Sequence, residues 1–142
     1  MAKINRVLSI VLLLVIGSFC PAQNGSAPKP SIPYFSHLNY QQFVQVLKDQ
    51  SPVVLDVRTE EEYKTGHLKG AVLIDFRNPE FEKNVNKLDK KKTYMLYCRS
   101  GNRSGQAMEI FKKNGFKKVY NQQGGVIDLN KNRHPLEIGA DK

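Results

Sequence analysis

Four short apolar runs constrain this chain most: residues 53–57, 71–74, 93–97 and 117–120. Each is too short for a helix and bounded by turn-forming residues, so each reads as a strand. The first opens after Pro52 and is rich in Val, as a buried strand is. Between the runs lie segments of helical period. Asn39 with Gln42 reads as a helix cap, followed by Phe43, Val46 and Leu47 at helical spacing, with an end near Lys48. Thr59 with Glu62 forms a capping box for a short helix stopped by Gly66. Residues 79–88 put Phe81, Val85 and Leu88 on one face. Residues 104–114 turn Ala107, Met108 and Phe111 inward and stop at Gly115, and Gly124-Gly125 precedes a short helix over 126–129. Strands that alternate with helices are joined by crossovers, which make neighbouring strands parallel and lay helices on the sheet. The expected class is α/β in three layers: a mainly parallel central sheet of about five short strands with helices on both faces. In such sheets ligands bind beyond the carboxyl ends of the strands.

Cys98 stands at that end of the third run, in Tyr97-Cys98-Arg99-Ser100-Gly101-Asn102-Arg103-Ser104-Gly105. A thiolate, not a thiol, is the nucleophile, and an ordinary cysteine is mostly protonated at neutral pH. A helix N-terminus offers unpaired N–H groups and partial positive charge, and Arg99 and Arg103 add full charges. These lower the expected pKa of Cys98 and let the loop hold a small anion. Gly101 lets the backbone curl around the centre. Cys98 is the candidate nucleophile, and Arg99, Ser100, Gly101, Asn102, Arg103 and Ser104 are the candidate binding residues. Arg103, at the helix start, serves either the substrate or a carboxylate that braces the loop. Asp56, Arg58 and His67 are read as structural support, with Asp56 bracing the Cys98 loop. Attack by a thiolate needs no general base, so none is assigned to His67.

The first 22 residues stand apart. Lys3 and Arg6 precede an almost wholly apolar stretch over 7–19, and Cys20-Pro21-Ala22 supplies small residues for cleavage after Ala22. This is the layout of a secretory signal peptide and is short for a membrane span. Export to the periplasm is therefore expected. Contact with a membrane is expected only if the leader is retained as an anchor or lipidated at Cys20. Residues 23–33 contain three prolines with Gly and Ser and read as a flexible linker. The folded domain is placed over 34–138, with 139–142 as a tail. Cleavage after Ala22 removes two basic residues and no acid, so 22 against 13 becomes 20 against 13, a net charge of +7. It also removes Cys20 and leaves Cys98 as the sole thiol, which rules out a disulfide within the mature chain.

The chain resembles the rhodanese (sulfurtransferase) domain family. The resemblance rests on Val54-Leu55-Asp56-Val57-Arg58, Glu61-Glu62-Tyr63, Gly66-His67-Leu68-Lys69-Gly70-Ala71, the loop from Cys98 to Arg103, Gly115-Phe116 and Gly124-Gly125. It covers roughly residues 34–134, and their order and spacing carry it. With Ser104-Gly105-Gln106-Ala107 and the leader, it looks most like the small periplasmic single-domain rhodaneses of the phage-shock-protein E type. The resemblance implies that Cys98 takes a sulfur from thiosulfate or a similar small anionic donor as a persulfide. A thiol or cyanide acceptor then removes it, in two-step covalent catalysis without a cofactor. Related phosphatases and arsenate reductases place five residues between cysteine and arginine. Here four separate Cys98 from Arg103, a loop size the family links to sulfur chemistry. The chain departs from the family in lacking a Trp beyond the glycine pair, where it reads Val126-Ile127-Asp128-Leu129.

Other readings remain beside this one. A persulfide carrier that delivers sulfur to a partner protein uses the same Cys98. A thiol-redox protein lacks a second mature cysteine for an internal disulfide cycle. No Cys/His spacing suggests a metal. The lysines at 90–92, 112–113 and 117–118 lack the interleaved aromatics of a single-strand binder, so no nucleic acid is expected.

Overall fold

The computed structural model describes residues 32–139. The leader, its cleavage site, Cys20 and most of the linker lie outside the described residues. Among the described residues five strands and five helices follow in order: β1 (Ser36–Leu38), α1 (Tyr40–Gln50), β2 (Val53–Asp56), α2 (Glu60–Lys64), β3 (Val72–Leu73), α3 (Phe81–Val85), β4 (Thr93–Tyr97), α4 (Asn102–Lys113), β5 (Lys118–Gln122) and α5 (Gly125–Lys131). The sheet runs β1-β5-β4-β2-β3, and every pairing is parallel. The α/β class is as expected. Among the described residues no helix is long and apolar enough to cross a membrane.

The pleat of β4 separates two cores. Tyr94 and Leu96 join Phe81 and Val85 of α3 and Ala107, Met108 and Phe111 of α4. Met95 and Tyr97 face the other way, onto Phe43 and Val46 of α1, Tyr63 of α2 and Leu129 of α5. Helices thus cover both faces, because successive strand residues point to opposite sides. Leu129 is fully buried, so α5 packs with a leucine in the region where a tryptophan is usual in the family.

Local chemistry fixes the helix starts. Asn39 and Gln42 form a reciprocal capping box before α1, and Thr59 and Glu62 form one before α2. Several elements differ from the sequence expectation, three of them for a clear local reason. Strand β1 has no counterpart there, because three residues carry no readable period. The third helix is shorter than 79–88: the chain from Asn84 to Leu88 closes with three-residue bonds, Lys87 N–H to Asn84 and Leu88 N–H to Val85, rather than continuing as α-helix. Helix α4 starts at Asn102 rather than Ser104, because Gly101 turns at φ +87° and caps it early.

Candidate active site

The carboxyl ends of β2, β4 and β5 deliver three loops to one edge of the sheet. Central β4 delivers Cys98, which is 1% exposed. With α4 starting at Asn102, Arg103 and Ser104 belong to its first turn, where backbone N–H groups have no helical partner. The loop wraps the sulfur with donors. Gly101 N–H donates to Cys98 Sγ at 3.2 Å, and the buried Ser104 hydroxyl donates at 3.4 Å. Burial pushes the Cys98 thiol up. It is outweighed by the Ser104 hydroxyl and by the N–H groups of Ser104, Ser100 and Gly101, so the net direction is down. The thiolate is favoured chiefly by aligned hydrogen bonds, where the sequence had pointed equally to arginine charge.

A clamp behind the loop aims these donors. Val126 N–H donates to Cys98 O at 2.9 Å, and Ile127 N–H donates to Arg99 O at 3.1 Å. The carbonyls are drawn outward to the start of α5 while N–H groups turn inward. Only glycine fits between the two segments: a Cβ on Gly125 would lie 2.3 Å from Cys98 O, and one on Gly101 would lie 1.8 Å from Gln123 O.

In front lies a cleft of about 520 Å³ lined by Arg58, Thr59, Glu62, Thr65, Arg77, Arg99, Arg103 and Val126. Its four arginines are not equivalent. Arg103 makes a two-pronged pair with Glu62, both bonds 2.7 Å, so it braces the loop in the second of the two roles open to it. That pair holds the Glu62 carboxyl at about 2. Arg103 is itself raised, chiefly by Glu62 and in part by the Cys98 sulfur. Arg58 is buried and tied to Asp56, with Nη2 at 2.6 Å from Oδ2, and it donates to Gly66 O at 2.7 Å. Arg99 and Arg77 are exposed, and among the described residues neither guanidinium has an ion-pair partner. They are the cleft's uncompensated cations.

The expectation for Asp56 needs correction. It does not brace the Cys98 loop directly. Arg58 takes both its oxygens, because the side chain two residues on folds back before any loop amide reaches it. The braces are Glu62 and the start of α5. Ser100 supplies a backbone N–H to the sulfur while its side chain is exposed. Asn102 lies on the helix surface and accepts from Gln106 Nε2 at 2.6 Å. His67 is buried, stacked on Tyr63 at 3.7 Å, with Nδ1 3.1 Å from Tyr63 O. It follows Gly66 in the same loop and is not among the residues that line the cleft.

Sequence reasoning missed Arg77 and the brace from Glu62. Glu62 was legible as a cap and as part of Glu61-Glu62-Tyr63 but not as a brace, since its partner Arg103 lies 41 positions away. Arg77 sits in a loop without periodicity, and no local signal singles it out.

The chain matches the family model described as Rhodanese-like domain over residues 39–131. It is 35% identical over 109 residues to a protein named tRNA uridine(34) hydroxylase from Onion yellows phytoplasma (strain OY-M), covering 74% of this chain and 35% of that protein. It is 39% identical over 106 residues to "Putative sulfur carrier protein YrkF" of Bacillus subtilis (strain 168), covering 75% of this chain and 55% of that one. The chain thus spans about a third to about half of these relatives' lengths. A crystal structure of a rhodanese-like domain protein from Staphylococcus aureus superposes with a TM-score of 0.62 at 29% identity, covering 74% of this chain and 98% of that one. A rhodanese-related protein from Thermoplasma volcanium gives a TM-score of 0.64 at 25% identity, covering 72% and 98%.

Proposed function

Because the chain belongs to the rhodanese-like domain family, we propose that it is a sulfurtransferase working through a Cys98 persulfide. The Cys98 thiolate attacks the outer sulfur of thiosulfate or a similar donor. The new S–S bond forms as the donor's S–S bond breaks, and sulfite leaves with the electron pair. Cys98 then carries a terminal persulfide anion. A thiol or cyanide attacks that outer sulfur and the Cys98 thiolate leaves. No net oxidant or cofactor enters.

One observation carries the reading: the Cys98 sulfur lies among hydrogen-bond donors from Gly101 and Ser104 beside an arginine-lined cleft. The same donors suit a thiolate and a persulfide anion, and Arg77 and Arg99 suit a dianionic donor. The test is steady-state sulfite release from thiosulfate with cyanide, wild type against Cys98→Ser. Turnover in wild type and none in Cys98→Ser is the expected result.

A carrier that holds persulfide for a partner protein is the second reading, favoured by the relative named as a sulfur carrier. It predicts a mass gain of one sulfur on wild type without sustained sulfite release. The hydroxylase chemistry of the longer relatives is not proposed for this chain. We propose further that the protein is exported to the periplasm and is of the phage-shock-protein E type. The intact mass of the exported chain tests this: cleavage after Ala22 leaves 120 of the 142 residues.

A further inference from the structure

A histidine outside the cleft is joined to the nucleophile's loop by a chain of hydrogen bonds. His37 on β1 lies in register with Asn121 on β5, and Asn121 lies in register with Leu96 on β4, two residues before Cys98. All three stand in one row across the sheet. Asn121 is 1% exposed. Its amide nitrogen lies 3.1 Å from Gly101 O and 2.8 Å from His37 Nδ1.

The orientation of this amide is forced. Gly101 O can only accept, so the group facing it must be the NH₂. That NH₂ has only hydrogens to offer, so His37 Nδ1 is the acceptor of this bond. The alternative would set Asn121 Oδ1 against Gly101 O, two acceptors face to face. The cost of the observed orientation is visible: Asn121 Oδ1 is buried and accepts from no group among the described residues. A buried amide is thus held with its oxygen unsatisfied while both hydrogens are used.

Helix α4 leaves space for this arrangement. A Cβ on Gly105 would lie 3.3 Å from His37 Cε1 and 3.4 Å from Asn121 Nδ2. Gly101 caps α4 but has no side chain with which to do so. Asn121 reaches in from the neighbouring strand and, beside the Gly105 N–H at 3.0 Å, gives a second donor to the carbonyl of the residue whose own N–H donates to Cys98 Sγ. Fixing that carbonyl fixes the left-handed turn that aims the N–H.

We propose that Asn121, oriented by His37, is a positioning residue that holds the Gly101 amide on the Cys98 sulfur. It touches neither sulfur nor substrate. The inference rests on Cys98 being the reacting thiolate, but not on any one sulfur donor or acceptor.

The test is a thiolate titration of Cys98 by ultraviolet absorbance, each variant read against the same variant carrying Cys98→Ser. No sulfur compound is added, so a protein that fails to turn over thiosulfate still gives a decisive answer here. Asn121→Ala is expected to move the Cys98 midpoint upward, leaving roughly threefold less thiolate at a pH below it. His37→Ala, a change at an exposed ring, is expected to move it the same way by less. A purely structural role for Asn121 lowers the melting temperature and leaves the midpoint in place. A folded Asn121→Ala with the wild-type midpoint overturns the proposal. Should Asn121→Ala fail to fold, an unchanged midpoint in His37→Ala overturns it.

Discussion

Glu62 does two jobs with one carboxylate. It closes the N-terminus of α2 as half of a capping box, and it anchors Arg103 at the mouth of the site. The first job is written in local sequence, since a cap and its partner lie three residues apart. The second is not, because nothing in the chain announces which distant arginine will arrive. The pair sets a pH dependence whose sign follows directly. Glu62 sits at about 2 in the fold against 4.5 ordinarily, so folding favours its charged form. That stability is fully present above pH 4.5 and is lost as pH falls toward 2. Glu62→Gln is expected to cost about 1 kcal/mol at neutral pH, because the pair is partly exposed. It should also flatten the fall in melting temperature between those two pH values. A variant whose stability still follows the wild-type acid limb would show that Glu62 is not its source. Loss of the Arg103 brace should lower persulfide formation as well, read as single-turnover sulfite release.

Helix α5 illustrates how an element serves chemistry it does not contain. Its first N–H groups take the carbonyls of Cys98 and Arg99, which leaves the loop's own N–H groups for the sulfur. The approach is close enough that Gly125 must have φ +57° and no side chain. The glycine pair was legible in the sequence; the reason for it was not, because the clash is with residues far back in the chain. Gly125→Ala is expected to destabilise the fold by about 2 kcal/mol from the left-handed backbone alone. The added methyl would also push the Cys98 loop away, so sulfite release should fall further than the fraction unfolded explains. Chemical denaturation and activity measured on one preparation separate the two effects. The early start of α4 belongs to this scale too. Sequence periodicity placed the helix at Ser104, but the turn at Gly101 recruits Asn102 and Arg103 into its first turn and so brings the Ser104 N–H and hydroxyl to the sulfur.

Across the whole molecule, the parallel sheet concentrates function at one edge. The carboxyl ends of β2, β4 and β5 bring Arg58, Cys98 and the glycine pair together from positions scattered along the chain. Of the four arginines in the cleft, Asp56 and Glu62 neutralise two, and Arg77 with Arg99 remain. Neutralising either should raise KM for thiosulfate roughly tenfold, the loss of about 1.5 kcal/mol from one charged contact, with kcat little changed. The double variant should also lose most of the dependence of kcat/KM on ionic strength. Equal KM values in wild type and the double variant would remove these residues from donor binding. The alternation of strand and helix and the small loop around Cys98 were readable from the chain, because each depends on residues within a few positions of one another. Periodicity, capping and a cysteine before a helix start are local facts. The partner of Arg103, the clamp from α5 and the row from His37 through Asn121 to Gly101 were decided only by the tertiary structure. They depend on strand order and register, which bring together residues 20 to 84 positions apart, and strand order follows from how all the helices share two faces of one sheet.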